Sequence, residues 1–313
     1  MLSTIQPEDI ATRSWRVAHA LSVDDAARMA VVREQAAPNK GRLRGVAARP
    51  MFDAMNEGVV APQGVDFRED SVGGIPGTWC TPQGALSGVT LMHLHGGWFN
   101  WGKANAFRNL VGQIAARSGL EAFIPDYRLA PEHPFPAALE DAAACFRALT
   151  ASRTGKVVVS GDSAGGNLAL LLASSQTPPP VAVVALSSVT DLALTGRSWE
   201  TKAEDDPYFL RSQVEELVTA YLAGHDPADP AASPLYGVLT DAPPIQIQVG
   251  SVEVLLDDAQ RFAQRAADTG VAVELHVWEG MAHGFVSGIG RFDASSAALS
   301  EIARFLGLHA GTK

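Results

Sequence analysis

Runs of apolar residues alternate with helical stretches from about residue 65 to the end of the chain. Each run has the length of a strand and is mostly apolar, as expected for a strand buried on both faces. Strands of this kind that alternate with helices predict a doubly wound α/β fold, with a mostly parallel central sheet and helices on both of its faces. The runs are GVTLMHLH (88–95), EAFIPDY (121–127), KVVVSG (156–161), PVAVVALSS (180–188), IQIQVG (245–250) and VAVELHVW (271–278). The helices are expected near residues 105–118, 137–151, 163–174, 255–269 and 294–308.

Two regions depart from this alternation. Residues 1–60 are rich in Ala, Arg, Asp and Glu and contain nothing that alternates like a strand, so a small helical segment is expected there. Residues 190–240 contain the amphipathic stretch LRSQVEELVTAYL, whose apolar residues share one helical face, followed by a proline-rich stretch. We therefore predict a core formed by residues 61–189 and 241–313. The helical insertion 190–240 would join the N-terminal segment as a cap over the strand ends.

The composition excludes several classes of protein. With 313 residues, of which 47% are hydrophobic, the chain can bury a large core, and its formal net charge of −10 argues against nucleic acid or an anionic membrane surface as a partner. No uncharged apolar block approaches the roughly 20 residues that span a bilayer, and the first residues lack the pattern of a secretory signal. Two cysteines, Cys80 and Cys145, are too few for a disulfide framework. We therefore expect a cytoplasmic protein without integral membrane association.

A G-x-S-x-G motif lies in the stretch VVVSGDSAGGNLAL (157–170), between an apolar strand and a helix. In this context the motif is typical of a nucleophile elbow, in which a strained turn exposes the serine oxygen. Gly161 and Gly165 leave room for strand and helix to approach, and the Ala164 N–H lies at the positive end of the helix dipole. Ser163 is therefore the candidate nucleophile, with an ordinary glycine-rich turn and an inert serine as the alternative. GDSAGG also resembles the GDSGG of chymotrypsin-like proteases, but the helical flank and the late histidine argue against that class.

Two glycines follow an apolar strand in the segment HLHGGW (93–98). The backbone N–H groups of Gly96 and Gly97 can stabilise a developing oxyanion, as the oxyanion loops of esterases do, although an ordinary turn would explain the pair as well. His93 and His95 share a strand face and raise the alternative of a metal site. No further cluster of His, Cys, Asp or Glu completes a ligand set in the sequence. We expect no metal and no organic cofactor.

A base and a carboxylate that can activate the serine follow later in the chain. His283 lies after the last predicted strand, in the segment EGMAHGF, where it can accept the serine proton. Glu253 directly follows another strand, in the segment VGSVEVLLDD, and can orient the histidine. Asp257 and Asp258 are rivals for this role, although their position in the first turn of a helix explains them as well. The order serine, acid, histidine is that of α/β-hydrolases.

Taken together, these motifs make the chain resemble a bacterial hormone-sensitive-lipase-like esterase, in the group whose nucleophile motif reads GDSAGG. The resemblance extends from about residue 65 to 308 and implies an α/β-hydrolase fold with a helical cap. Its most specific part is the long proline-rich segment. The matching motifs are HGG (95–97), DYRLAPEHPFPAALEDA (126–142), GDSAGGNLA (161–169), SSVTDL (187–192), DPY (206–208), SPL (233–235), the Glu253 segment and HGF (283–285).

The resemblance also implies roles for individual residues. The implied site residues are Ser163, Glu253 and His283 as the triad, and Gly96, Gly97 and Ala164 as the N–H donors of the oxyanion hole. This chain departs from the family at two positions. Trp98 stands where the oxyanion loop often has a third glycine, so its indole would shape the acyl or alcohol pocket. Glu253 stands where the family often has Asp, so Asp257 stays an alternative acid.

Aromatic residues near the motifs or in the predicted cap are candidates for an apolar substrate pocket, although any one of them would also suit the core. These candidates are Trp98, Phe99, Trp101, Tyr208, Phe209 and Phe285.

The motifs and the resemblance predict a serine carboxylesterase that hydrolyses small, fairly apolar, short-chain acyl esters through an acyl-enzyme. A lactone hydrolase or an N-acyl or amide hydrolase would use the same machinery and stays an alternative. A non-catalytic ligand-binding receptor on this scaffold would be expected to lack the histidine at position 283, and a prolyl-oligopeptidase would need a large additional domain. The expected partner is a small-molecule ester. The resemblance further implies a homodimer formed through an edge strand and a helix near the C-terminus.

Overall fold

A central sheet organises the protein, which the computed structural model describes over residues 15–152 and 155–311. The strands are β1 (Arg16–His19), β2 (Val65–Val72), β3 (Ile75–Pro82), β4 (Leu86–Leu94), β5 (Leu120–Pro125), β6 (Val157–Asp162), β7 (Val183–Leu186), β8 (Ile245–Gly250) and β9 (Val273–Trp278). The helices are α1 (Val23–Ala36), α2 (Arg49–Glu57), α3 (Ala104–Ser118), α4 (Ala137–Ala151), α5 (Ala164–Ser175), α6 (Ser198–Thr201), α7 (Arg211–Leu222), α8 (Leu256–Asp268) and α9 (Asp293–Ala310). Short 3-10 turns cover Ala37–Asn39, Val46–Ala48, Pro234–Tyr236 and Phe285–Ser287.

Within the described residues the strands form one sheet in the order β1-β9-β8-β7-β6-β4-β5-β3-β2. Every neighbouring pair from β1 to β5 is parallel, whereas β3 runs antiparallel to both β5 and β2. Successive residues of β6 belong to different apolar clusters: Val157 and Val159 lie in one and Val158 in the other. Since side chains alternate along a strand, the two clusters lie on opposite faces of the sheet. The predicted doubly wound α/β class is confirmed.

The predicted elements all have counterparts in the structure, and several agree closely in their bounds. Helix α4 covers the expected residues 137–151, and β8 covers the expected residues 245–250. Three strands, β1, β2 and β3, were not predicted, and the expectation that residues 1–60 contain no strand was wrong. Strand β2 reads VDFREDSV and β1 is only four residues long, with most side chains of both exposed. Both lie at edges of the sheet, where a strand does not need to be apolar on both faces.

Strand β1 also bears on the expected homodimer. It pairs in parallel with β9, from Arg16 opposite Leu275 to His19 opposite Trp278. The strand nearest the C-terminus is therefore not an edge of the sheet in this chain. The homodimer itself stays a prediction.

The candidate site residues lie together beyond the carboxyl ends of the strands, because parallel strands end on the same side of the sheet. Ser163 follows β6, Glu253 follows β8, His283 follows β9, and the glycine turn at 96–97 follows β4. These four strands lie close together in the sheet order, so residues that are far apart in sequence meet in space.

The segment between β7 and β8 contains α6 and α7, as expected for a helical insertion. Val214, Leu217 and Tyr221 on α7 are buried. The N-terminal segment contacts this insertion through two hydrogen bonds. The Gly41 N–H donates to the Tyr208 carbonyl oxygen at 3.0 Å, and the Gln213 Nε2 donates to the Leu43 carbonyl oxygen at 2.7 Å. The N-terminal segment and the insertion are therefore packed together on the carboxyl side of the sheet.

None of the helices in the described ranges is long and apolar enough to cross a membrane. Cys80 and Cys145 are buried free thiols, and burial raises the pKa of both to about 12. Neither thiol is therefore primed for nucleophilic chemistry.

Candidate active site

Ser163 lies on a sharp turn between β6 and α5. Its backbone has φ 54° and ψ −117°, in the left-handed half of the map that residues other than glycine rarely adopt. The turn leaves no room for side chains at the neighbouring glycines. A Cβ on Gly161 would lie 2.2 Å from the Gly165 carbonyl oxygen, and a Cβ on Gly165 would lie 1.9 Å from the Leu94 carbonyl oxygen. This strained strand-to-helix turn has the geometry of a nucleophile elbow.

The imidazole of His283 is hydrogen bonded to Glu253, with 3.0 Å between His283 Nδ1 and Glu253 Oε2. The Glu253 side chain is completely buried, whereas the His283 side chain retains 14% of its exposure. A carboxylate on Nδ1 fixes the ring orientation and favours the tautomer whose Nε2 is free to accept a proton. The pair is therefore arranged as the acid and base of a serine hydrolase would be.

Two donors hold the Glu253 carboxylate in place. Its Oε1 accepts the Gly250 N–H at 2.6 Å and the Ser187 hydroxyl at 2.7 Å. Ser187 directly follows β7 and has φ 47°, a strained conformation that directs its side chain toward the acid. Sequence analysis did not single out Ser187. Its position at the carboxyl end of the strand between β6 and β8 is the signal that was available.

The rival acids lie elsewhere. Asp257 Oδ2 accepts the Arg197 N–H at 2.7 Å, and Asp258 Oδ2 accepts the Thr190 N–H at 2.7 Å. Neither carboxylate is hydrogen bonded to His283, so both connect α8 to the backbone that follows β7.

The environment of His283 favours its protonated form. Burial opposes protonation, but the hydrogen bond and charge of Glu253, with smaller contributions from Asp206 and Asp162, outweigh it and raise the pKa of the imidazole above its ordinary value of 6.5. An imidazolium stabilised in this way is what a general base becomes after it accepts the serine proton.

Ser163 and His283 line the same small cavity, whose volume is about 20 Å³. Leu110, Leu186 and Val286 supply apolar walls. Among the described residues no hydrogen bond joins the Ser163 hydroxyl to His283, and catalytic hydrogen bonds are often long before substrate binds. The cavity has room for about one water-sized group beside the serine.

The glycine turn after β4 differs from its expected role at one residue. The Gly96 N–H donates to Asp162 Oδ1 at 3.0 Å, so this donor is already engaged and is unsuited to an oxyanion. In the part of the chain that the structure describes, the N–H groups of Gly97, Trp98 and Ala164 have no hydrogen-bond partner. Trp98 has φ 52°, which costs strain in a bulky residue and is typical of functional turns.

His93 and His95 have structural partners. His93 Nδ1 lies 2.8 Å from the Ser160 hydroxyl and its Nε2 lies 3.2 Å from Asp162 Oδ1. His95 is stacked on Tyr127 with ring centroids 4.2 Å apart, and burial lowers its pKa. Across the described residues, no group of three or more His, Cys, Asp or Glu side chains is arranged to hold a metal ion.

One of the six aromatic candidates lies against the candidate base, and a second packs on the first. Phe209 packs edge-on to the His283 ring at 4.8 Å between centroids, and Trp98 packs edge-on to Phe209 at 5.5 Å. The other four lie in different surroundings. Phe99 is stacked on Tyr221, Trp101 donates its indole N–H to the Gly45 carbonyl oxygen, Phe285 packs against Trp278, and Tyr208 is half-buried.

Comparisons with known proteins identify relatives of this chain. The model of a family described by the alpha/beta hydrolase fold matches residues 91–287, more than half of the chain. An acetyl-hydrolase from Streptomyces hygroscopicus is 39% identical over 219 residues, which cover 68% of this chain and 73% of the relative. An esterase from Acinetobacter venetianus is 32% identical over 275 residues, which cover 86% of this chain and 90% of the relative.

A crystal structure of an esterase from the bacterial hormone-sensitive lipase family superposes with a TM-score of 0.85 at 33% identity, covering 93% of this chain and 99% of that one. Fold and site thus define an enzyme of the α/β-hydrolase class. Within that class, the chain belongs to the family of bacterial esterases related to hormone-sensitive lipase.

Proposed function

We propose that this esterase hydrolyses short-chain carboxylic esters through an acyl-enzyme on Ser163. The observation that carries the proposal is the buried Glu253–His283 hydrogen bond, whose histidine lines one cavity with the strained serine. Nucleophile and base thereby face one cavity in which a carbonyl group would bind, and the acid lies behind the base.

In the proposed mechanism, His283 Nε2 removes the proton from the Ser163 hydroxyl as the serine oxygen attacks the ester carbonyl. Glu253 keeps the ring oriented and stabilises the imidazolium. The imidazolium then donates its proton to the leaving alcohol, which departs and leaves an ester on Ser163. Water, deprotonated in turn by His283, attacks this ester, the bond between the acyl carbon and the Ser163 oxygen breaks, and the imidazolium returns its proton to the serine oxygen as the carboxylic acid is released.

The tetrahedral intermediate carries a negative oxygen that needs hydrogen-bond donors. We assign this role to the N–H groups of Gly97, Trp98 and Ala164. The assignment replaces Gly96 by Trp98, because the Gly96 N–H is used by Asp162. The Ala164 N–H also lies at the first residue of α5, where the helix dipole favours negative charge.

We further propose that the preferred acyl group is acetyl or only slightly longer. The cavity beside Ser163 is small and has the apolar walls Leu110, Leu186 and Val286, which favours a short acyl chain. Phe209, with Trp98 packed on it, forms an aromatic wall against His283, one of the residues that line this cavity. The name of the Streptomyces hygroscopicus relative, an acetyl-hydrolase, supports the same substrate class.

The test is hydrolysis of p-nitrophenyl acetate, butyrate and octanoate by the wild type and by Ser163→Ala. We expect kcat/KM to fall along this series in the wild type, and the variant to lose at least about 10³-fold of its turnover of acetate. A phosphonate directed at serine should label the wild type at Ser163 and leave the variant unlabelled. Undiminished turnover by the variant would refute the nucleophile.

The same assay separates the ester from chemically related substrates. The matched acetanilide and a simple lactone present the same carbonyl with an amine or an internal alkoxide as leaving group. We expect the acetate ester to be hydrolysed fastest, and a higher kcat/KM for the lactone or the amide would replace the substrate class while keeping the triad.

A further inference from the structure

Asp206 is a completely buried carboxylate in the insertion, between α6 and α7. Among the residues that the structure describes, every hydrogen bond that this carboxylate accepts comes from a backbone N–H group. Oδ1 accepts the Tyr208 N–H at 2.8 Å and the Phe209 N–H at 3.1 Å. Oδ2 accepts the Val254 N–H at 3.0 Å. Burying a carboxylate costs free energy unless the group is hydrogen bonded. The three N–H donors offset this cost for Asp206.

The two oxygens serve two different parts of the site. Oδ1 shapes the turn that presents Phe209, whose ring packs against the His283 imidazole. Oδ2 holds the residue directly after Glu253, the partner of that same imidazole. One side chain therefore connects the aromatic wall on the insertion to the loop that carries the acid.

The charge of Asp206 also reaches the base. Together with Glu253 and Asp162, Asp206 is one of three carboxylates that raise the pKa of His283. Burial raises the pKa of Asp206 itself, while its backbone hydrogen bonds and the charge of His283 oppose that rise. Removing the charge of Asp206 is therefore expected to make the His283 imidazolium less stable.

We propose that Asp206 is a positioning residue that holds the Phe209 wall and the Glu253 loop in one fixed position relative to His283, so that the aromatic ring and the acid are placed together. The proposal deepens the proposed function and rests on the roles given there to Glu253 and His283. Asp206 itself does not contact the reacting atoms.

A neighbouring carboxylate provides a matched control. Asp191 is also completely buried, at the start of the insertion, and it too accepts backbone N–H groups, from Ala193 and Thr195. Its remaining partners include Arg261 on α8, and it makes no hydrogen bond to the Glu253 loop. If the substitutions acted only by weakening the packing of the insertion, the Asp191 and Asp206 variants should lose activity to a similar extent.

The test compares Asp206→Asn, Asp191→Asn and the wild type in kcat/KM for p-nitrophenyl acetate as a function of pH. For Asp206→Asn we expect kcat/KM at the pH optimum to fall by roughly 10- to 100-fold. The acid limb of its pH profile should shift to lower pH by about half a unit. For Asp191→Asn the acid limb should stay in place. An Asp206→Asn enzyme with wild-type kcat/KM and an unmoved acid limb would overturn the proposal, as would an equal shift in both variants.

A measurement on the wild type keeps the proposal testable if Asp206→Asn does not fold. The amide protons of Tyr208, Phe209 and Val254 share one acceptor side chain, so hydrogen exchange should report one common opening. We expect protection factors within about threefold of each other, rising together when the serine is blocked by a phosphonate. Protection of Val254 that differs more than tenfold from that of Phe209 would refute the coupling. Failure of the phosphonate to label wild-type Ser163 would instead refute the proposed function, which distinguishes the two failures.

Discussion

The ring of Phe209 stands edge-on to the imidazole of His283, with 4.8 Å between the ring centroids. Phe209 belongs to the insertion and His283 to the loop after β9, so this contact connects the candidate base to the insertion. The substrate range of this esterase is therefore expected to depend on the insertion, while its chemistry depends on the strand ends.

Shortening Phe209 should widen the range of acyl groups. In Phe209→Ala the aromatic wall beside His283 is removed, and we expect kcat/KM for p-nitrophenyl octanoate to rise relative to that for the acetate by about tenfold, since roughly 1–3 kcal/mol of steric exclusion is lost. Phe67→Ala, on the edge strand β2, is the control and should leave the ratio unchanged. An unchanged ratio in Phe209→Ala would show that the wall does not limit the acyl chain.

Glu253 and Asp257 should differ sharply as acids. Glu253→Gln removes the charge on His283 Nδ1, and we expect kcat to fall by about 10²- to 10⁴-fold with little change in KM. Asp257→Asn removes a carboxylate that binds the Arg197 N–H, so it should retain most of the activity. Steady-state kinetics on p-nitrophenyl acetate measure both. A larger loss from Asp257→Asn would move the acid to the neighbouring helix.

The pH profile should report His283. The base must be neutral to accept the serine proton, and Glu253 together with nearby carboxylates raises its pKa above the ordinary 6.5. Activity should therefore fall as the pH decreases through this raised pKa, with the acid limb of kcat/KM centred above 6.5. In Glu253→Gln the limb should move to lower pH. A wild-type midpoint below 6.5 would contradict the described electrostatics.

Asp258 should make the stability depend on pH. Burial raises its pKa from 3.8 to about 7, while the Thr190 and Asp191 N–H groups partly stabilise the carboxylate. Because the folded state holds this proton more tightly than the unfolded chain, its ionisation destabilises the fold as the pH rises from about 4 to about 7. Asp258→Asn has no charge to bury. Its free energy of unfolding relative to the wild type should therefore rise across that interval.

Urea unfolding at pH 5 and pH 8 measures this effect, and the difference between variant and wild type should be larger at pH 8. A difference that is the same at both pH values would mean that Asp258 ionises in the folded protein as easily as in the unfolded chain.

Much of the fold was predictable from local patterns. The buried strands β4 to β9 are mostly apolar, and α4, α5 and α8 carry apolar residues at helical spacing, so each could be located from its own sequence. The edge strands β1 and β2 could not be located in this way. Strand β1 is a strand because β9 offers it hydrogen bonds, and nothing in RVAH requires that conformation.

The features of the site also fall into two groups, those predictable from local sequence and those that are not. G-x-S-x-G, the glycine pair and the positions of Glu253 and His283 are local signals at strand ends, and parallel topology brings such ends together. The engagement of the Gly96 N–H by Asp162, the support of Glu253 by Ser187 and the contact of Phe209 with His283 are not local. Each joins residues more than 60 positions apart in the chain.

By itself, then, the sequence determined the order of the elements and the types of reactive groups, because hydrophobic period and turn chemistry act over a few residues. Only the tertiary structure decided which N–H groups remain free for an oxyanion, which carboxylate reaches His283 and which aromatic rings face it. Those outcomes depend on contacts such as the 3.0 Å Gly96–Asp162 and 2.7 Å Ser187–Glu253 hydrogen bonds, between segments that meet only when the sheet has formed.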